Sequence, residues 1–283
     1  CKHNYLVKNA DQLPEILKKA FHIASTGRPG PVLIDVPIDV QVKEIDFNYP
    51  EKIEIRGYKP TYKGHAMQIK KIADAIKRAR KPVICAGGGV ISANASEELT
   101  QLIEKCSIPI TTTLMGKGAV ESSNELYLGM IGSHGSKVAN LAIHKSDLLI
   151  IVGARVGDRA MSSTEKIAQN TEVVHIDIDP AEIGKNIDVS IPVVGDIKHT
   201  LKELVNICEK GNVEDWIQEV LKLKYKEKSV YSCPLNENEK AAYVNPKYLL
   251  DILSDMVDKD TIVTTEVGQN QIWAANYYRT RSP

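Results

Sequence analysis

No stretch of this 283-residue chain approaches the ~18–20 consecutive apolar residues of a membrane-spanning helix, and no signal-peptide pattern opens it. The protein is expected to be cytoplasmic, with no membrane partner. An excess of charge is missing too. The 36 basic and 36 acidic residues cancel, and no block of Lys or Arg stands out, which argues against a nucleic-acid partner. Cys1, Cys85, Cys106, Cys208 and Cys233 are odd in number, widely spaced and free of any C-x-x-C pair. Zinc-ligand spacing is therefore absent, and no metal site is expected. Cys85, inside the apolar run PVICAG, reads as a small buried hydrophobe in a reducing compartment. No G-x-G-x-x-G fingerprint follows an early strand, which argues against a nicotinamide dehydrogenase.

What is present fits a soluble globular protein: 43% apolar and 25% charged residues. A chain of this length buries roughly three quarters of its unfolded surface in one or two cores. It begins at Cys1 rather than at Met and stops just after a helix-like run, so it is expected to be a piece of a longer protein.

Residues 10–41 read as a helix–strand unit. Asp11 is placed to cap a helix with Pro14 in its first turn and Leu13, Ile16, Leu17, Ala20, Phe21 and Ile23 inward. Strand Val32–Val36 follows the turn Gly27–Pro31. Residues 42–63, charged and aperiodic, read as a linker. From Gly64, a helix with Ile69, Ile72, Ile76 and Ala79 on one face opens a run in which strands and helices alternate. The strands fall at Val83–Ala86, Ile108–Thr112, Leu148–Val152, Val173–Ile178 and Ile191–Val194, and the helices near Ser96–Cys106, Val138–His144 and Ile197–Glu209. Such alternation predicts an α/β fold: a doubly wound, mainly parallel Rossmann-like sheet with helices on both faces, flanked by two partial α/β domains. Residues 210–240 read as helical and charged, with a second linker at Cys233–Asn236. A third unit opens with Asn245 capping a helix that has Pro246 at its first position and Tyr248, Leu249, Ile252, Leu253 and Met256 inward, followed by strand Thr261–Thr265.

The loops after these strands carry the polar chemistry. Open parallel sheets bind ligands outside the carboxyl ends of their strands. Gly87-Gly88-Gly89 suits either close approach to a pyrophosphate or tight strand–helix packing. Arg155, Asp158 and Arg159 in GARVGDR suit bidentate recognition of phosphate or carboxylate, unless Asp158 simply pairs with an arginine. Asp177 is suited to ribose hydroxyls, because Asp179-Pro180 makes the better helix cap. Asp196 repeats that strand-end pattern, and His134 reads equally as a ligand donor or a satisfied polar residue.

GRPGPVLIDVP, the GGG, TLMGKG, GMIGSHG, GARVGDR and HIDIDPAEIGKN segments and EVGQNQIWAANYY together resemble the large catalytic subunit of acetohydroxyacid (acetolactate) synthase, a thiamine-diphosphate enzyme family. The resemblance covers essentially the whole chain and about half of such a subunit. It implies three parts: residues 1–45 as the end of the pyrimidine-binding domain, 64–210 as the central FAD-binding domain, and 241–283 as the start of the diphosphate-binding domain. It assigns FAD to Arg28, Gly87, Gly88, Thr113, Leu114, Ile131, Gly132, Ser133, His134, Gly153, Ala154, Arg155, Val156, Gly157, Asp177, Ile178, Asp196 and Ile197. Gln269 and Asn270 match positions beside thiamine diphosphate, and Arg159 matches the arginine holding the carboxylate of the second 2-ketoacid.

The implied reaction decarboxylates pyruvate on thiamine diphosphate with Mg2+ and joins the two-carbon unit to pyruvate or 2-ketobutyrate, in branched-chain amino-acid biosynthesis. FAD has no redox turnover in it, and the partners implied are a second copy in a homodimer or tetramer and a small regulatory subunit. In the family the activating glutamate precedes the segment matched by Cys1, and the Gly-Asp-Gly…Asn metal segment follows that of Pro283, so the 283 residues alone are expected to be inactive. Ile38 stands where the family has Lys, Asn270 where it has His, and Val156-Gly157 where it has Phe-Asp. Other thiamine-diphosphate carboligases, oxidases or decarboxylases, and a non-catalytic FAD-binding module, remain as alternatives.

Overall fold

The computed structural model describes residues 1–161, 164–231 and 244–282. The chain divides into two compact units, Cys1–Tyr62 and Lys63–Pro283.

In the first unit, β1 (His3–Leu6) pairs in parallel with β2 (Val32–Asp35), joined by α1 (Leu13–Ser25). Strand β1 lacks the β-branched run that marks β2, so no local pattern announces it. Asp11 does not cap α1. Instead Asn9 Oδ1 accepts the Asp11 N–H at 3.3 Å and caps a single 3-10 turn, Ala10–Gln12, ahead of the helix. Ala20 and Ile23 are buried, but Phe21 is 69% exposed. At 100° per residue it has turned off a stripe only wide enough to meet a two-stranded sheet. The small core joins Val7, Ala10 and Val40, the last on the short turn α2 (Ile38–Gln41).

The second unit holds six parallel strands in the order β5-β4-β3-β6-β7-β8. They are β3 (Pro82–Ala86), β4 (Ile110–Thr112), β5 (Tyr127–Met130), β6 (Leu148–Val152), β7 (Glu172–Asp177) and β8 (Ile191–Val194). Alternate residues of β3 and β6 feed two cores on opposite faces, as a pleated strand requires. Ile84, Leu148, Ile150 and Val152 meet α3 (Ala66–Arg78), α4 (Gly88–Ser92), α5 (Ser96–Cys106) and α8 (Ile197–Ile207). Val83, Cys85, Leu149 and Ile151 meet α6 (Lys137–Lys145), α7 (Thr164–Asn170) and α9 (Glu214–Tyr231). Strand β5 escaped sequence reading because Gly129, at φ +99°, interrupts its apolar pattern.

Helix α9 closes the second face. Its Trp216 is 2% exposed and donates its indole N–H to the Pro82 carbonyl at 3.0 Å. Glu227, further along, accepts the N–H groups of Lys137 and Val138 at 2.9 and 3.0 Å, capping α6 with a carboxylate where the helix dipole favours one. The linker expected at Cys233–Asn236 lies outside the described residues.

Helix α10 (Pro246–Met256) starts as expected, with Asn245 Oδ1 accepting the Lys247 N–H at 3.0 Å. Its apolar side is not inward: Tyr248, Leu249, Ile252, Leu253 and Met256 are exposed, and Ser254 is its one buried residue. Thr261–Thr265 forms no strand. The reason is shared, because a strand needs a hydrogen-bonded neighbour and an amphipathic helix needs a sheet to cover. Helix α11 (Gln269–Tyr277) does pack, through buried Ala274 and Ala275. No helix among the described residues is long and apolar enough to cross a membrane.

Trp216→Ala removes both a large buried side chain and the partner of a buried carbonyl. The expected loss is about 3–5 kcal/mol, read as a lower urea midpoint at unchanged slope.

Candidate functional site

Parallel strands place all their carboxyl ends on one edge, and six strands spaced as in ordinary sheets make that edge about 24 Å long. The strand order reverses between β3 and β6: the chain runs outward through β4 and β5, then returns to build β6, β7 and β8 on the other side. A crevice at such a reversal is where open α/β sheets bind ligands. The loops meeting there are Gly87-Gly88-Gly89 and Gly153–Arg159.

Protein packing explains much of the glycine. A Cβ on Gly87 would lie 2.2 Å from the Gly153 carbonyl oxygen, and one on Gly89 would lie 2.8 Å from Gly153 Cα. Gly153 itself sits at φ +56°, and a Cβ there would meet Ile197 Cδ1 at 2.5 Å. Gly157 is different, with nothing within 4 Å of where its Cβ would stand. Tight strand–helix packing is thus sufficient for Gly87 and Gly89, while the surface above Gly157 stays open.

The expected cofactor residues of the second unit gather on this edge. Thr113 and exposed Leu114 follow β4 beside Met115, which is 71% exposed. Ile131, Gly132, Ser133 and His134 follow β5. The Ile131 side chain is buried, whereas Ser133 and His134 are exposed. In the arginine loop, burial alternates: Ala154 and Val156 are buried, Arg155 and Arg159 exposed. Side chains of Ile131, Ala154, Val156 and Ile197 belong to the cores, so a ligand reaches those positions through backbone only. Arg28 lies exposed in the turn after α1 of the first unit. Gln269 and Asn270 are exposed in the first turn of α11, and two turns later Asn276 Nδ2 donates to the His134 carbonyl at 2.8 Å.

The acids divide. Asp177 is buried at the end of β7 and accepts the Asp179 N–H at 2.9 Å through Oδ1. Asp179 does not cap a helix, because residues 180–184 form turns; its Oδ1 accepts the Ala181 N–H at 3.0 Å. Asp196 is the helix cap, accepting the His199 N–H at 2.9 Å at the start of α8, which accounts for it without a ligand. Asp158 pairs with no guanidinium; it accepts the Arg159 backbone N–H at 2.9 Å.

Sequence reasoning passed over three residues here. His175 is fully buried, its Nε2 is 3.2 Å from the Ala154 carbonyl, and its Nδ1 has no partner among the described residues. Burial pushes its pKa down, against the nearby charges of Asp177 and Glu182. Asn186 Nδ2 donates to the Val156 carbonyl at 2.6 Å. Lys117, in the TLMGKG loop, donates to the Tyr278 carbonyl at 2.8 Å, and burial pushes its ammonium down to about 8. Nothing in the local sequence of these three residues marks these bonds. No group of three metal-ligating side chains occurs among the described residues.

A dinucleotide fits what the edge offers: exposed arginines for a diphosphate, a buried strand-end carboxylate, glycine backbone where the loops meet, and exposed apolar Leu114 and Met115.

Residues 69–204 match the thiamine pyrophosphate enzyme central domain family. Over 302 aligned residues the chain is 44% identical to a protein of Methanococcus aeolicus named probable acetolactate synthase large subunit, covering 100% of this chain and 49% of that one. The acetolactate synthase large subunit of Haemophilus influenzae is 41% identical over 285 residues, covering 98% and 49%. That of Corynebacterium glutamicum is 40% identical over 287 residues, covering 100% and 45%. The chain spans about half the length of these relatives.

Two substitutions separate packed glycine from open glycine. Gly153→Ala should cost about 1–3 kcal/mol or more through its left-handed backbone and the clash with Ile197, whereas Gly157→Ala should stay within about 1 kcal/mol, both by urea denaturation. Lys117 adds a pH dependence. Its folded pKa lies below the ordinary 10.5, so the unfolded chain binds the extra proton between about 8 and 10.5. This contribution to stability therefore rises across that window, and Lys117→Met should flatten the rise in urea midpoint from pH 8 to 10.

Proposed function

We propose that this chain, which carries a thiamine pyrophosphate enzyme central domain and is similar along its whole length to acetolactate synthase large subunits, belongs to that enzyme family and forms part of an acetolactate synthase. The activity proposed condenses pyruvate with a second 2-ketoacid, pyruvate or 2-ketobutyrate, with loss of carbon dioxide, for branched-chain amino-acid synthesis. In this reading residues 1–45, 64–210 and 241–283 contribute to the pyrimidine, central and diphosphate domains in turn. The active protein is a homodimer or tetramer in the cytoplasm, served by a small regulatory subunit.

The observation that carries the reading is the reversal between β3 and β6, with the arginine loop on one side and the glycine run on the other. Along this edge FAD would lie extended. Arg155 would hold its diphosphate, Asp177 a ribose hydroxyl, and the backbone of Gly88, Thr113, Gly132–His134 and Gly153–Gly157 its remaining length. Gln269 and Asn270 would flank thiamine diphosphate, which supplies the electron sink for decarboxylation, with Mg2+ on its diphosphate.

Arg159 acts on the substrate. Its guanidinium is exposed, and its backbone is fixed from both sides: Asp158 accepts its N–H, and its carbonyl accepts the Ser133 N–H at 3.2 Å. A side chain on so constrained a backbone orients an acceptor carboxylate bidentately before any bond forms. Asn270 donates or accepts but carries no charge near neutral pH, unlike a histidine, so it orients without moving a proton.

Titrating the chain with FAD tests the cofactor reading. At one hundred times the dissociation constant the fold should gain about 2.7 kcal/mol, seen as a thermal shift, and Asp177→Ala should weaken binding by roughly tenfold or more. No shift with the wild-type chain would remove FAD from the proposal. In the full-length protein Arg159→Ala should raise KM for the acceptor ketoacid by at least about thirtyfold, the equivalent of roughly 2 kcal/mol, and leave the first decarboxylation nearly intact. Unchanged acceptor kinetics would refute the role given to Arg159.

A further inference from the structure

The arginine loop gives its Gly153 N–H to the Ile176 carbonyl at 2.8 Å and its Arg159 N–H to Asp158, and is otherwise held by its carbonyls. Gly153 O accepts from the Gly89 N–H at 3.0 Å, Arg155 O from the Gly157 N–H at 3.0 Å, and Gly157 O from the Met161 N–H at 2.9 Å. Two of the remaining carbonyls are taken by side chains from outside the loop. His175, on β7, takes Ala154 O at 3.2 Å, and Asn186, after the turn beyond β7, takes Val156 O at 2.6 Å. These two carbonyls flank Arg155, whose side chain is exposed while its neighbours Ala154 and Val156 are buried.

We propose that His175 and Asn186 are positioning residues that clamp the backbone on either side of Arg155, fixing the extended loop so that Arg155 and Arg159 face the crevice ready for an anionic ligand. The inference deepens the function proposed above and rests on its assignment of this edge to substrate and cofactor. The chemistry of the clamp is specific. A carbonyl only accepts, so His175 Nε2 must carry its proton toward Ala154 and leave Nδ1 as a bare acceptor. A second proton on Nδ1 would be a buried donor with nothing to meet it. The charges facing the ring are Asp177 on its own strand and Glu182 in the following turn; on the loop, Arg155, Asp158 and Arg159 are all exposed. The imidazole therefore stays neutral while clamped and gains a proton more readily once the loop lifts away. The lifted state binds more protons below about pH 6.5, so the clamp weakens as pH falls from there.

Amide hydrogen exchange of residues 153–160, followed from pH 5 to 8 in the 283-residue chain and corrected for intrinsic rates, tests this without cofactor or substrate. In the wild type, protection should drop as pH falls through about 6.5. His175→Gln, which keeps an N–H donor but does not titrate, should remove that drop. Asn186→Ala should speed exchange of the loop by roughly tenfold at every pH, while β3 and β6 stay as protected as before. A His175→Gln chain that keeps the pH step, or an Asn186→Ala chain with loop exchange unchanged, overturns the clamp; should the His175 variant not fold, the Asn186 result decides. A failed FAD titration alongside intact clamp behaviour would instead count against the flavin reading alone.

Discussion

Backbone pressed on backbone at the ends of β3 and β6 is the constraint on which this structure depends. The two strands pair over five residues, from Pro82 with Leu148 to Ala86 with Val152, so their loops leave the sheet at the same level. They stay in contact beyond it: Gly87 donates to the Val152 carbonyl at 2.9 Å and Gly89 to the Gly153 carbonyl at 3.0 Å. The β4 loop closes on the same spot, since a Cβ on Gly116 would stand 2.3 Å from the Ala86 carbonyl oxygen. Three loops thus converge with almost no side chain between them. Side chains here would part the loops, and the reversal of strand order would open into a gap instead of a shallow crevice.

That constraint sorts what was legible in the sequence from what was not. Strand β6 and helix α5 were readable to the residue, because LLIIV is buried on both faces and Ser96–Cys106 carries a clean helical stripe. Tertiary context decided the failures. Phe21 and the apolar side of α10 follow a helical period, yet period says only that residues share a face, not that something covers it. Thr261–Thr265 has strand propensity without a partner. At the candidate site the residue types and their strand-end positions were legible. Which acid serves a cap was not: Asp179, expected to cap a helix, sits in a turn, and Asp196, open between ligand and cap, caps α8, because a cap is defined by where the helix starts. His175 and Asn186 were invisible because they act on carbonyls of a loop some twenty to thirty positions away, contacts that leave no pattern along the chain.

Electrostatically, the edge is asymmetric by construction. Polar backbone of the loops is tied down from below, by Gly89, His175 and Asn186 in the arginine loop and by Asn140 in the β5 loop. There Asn140 takes the Gly132 N–H at 3.0 Å and gives to its carbonyl at 2.9 Å. Satisfying these groups internally leaves charged side chains as the outward-facing chemistry. An arginine on a fixed backbone loses less freedom on binding than one on a mobile loop, so more of each hydrogen bond appears as affinity.

The same edge also anchors the last described segment of the chain. Asn276 bonds the His134 carbonyl from α11, Lys117 bonds the Tyr278 carbonyl, and Ser122 and Thr280 exchange backbone and side-chain bonds at 3.0 Å. Two different strand-end loops therefore grip the segment 276–280, whose helix carries Gln269 and Asn270 at its far end. The helix cannot shift without breaking these bonds, so where its first turn stands is set by the β4 and β5 loops, through hydrogen bonds alone.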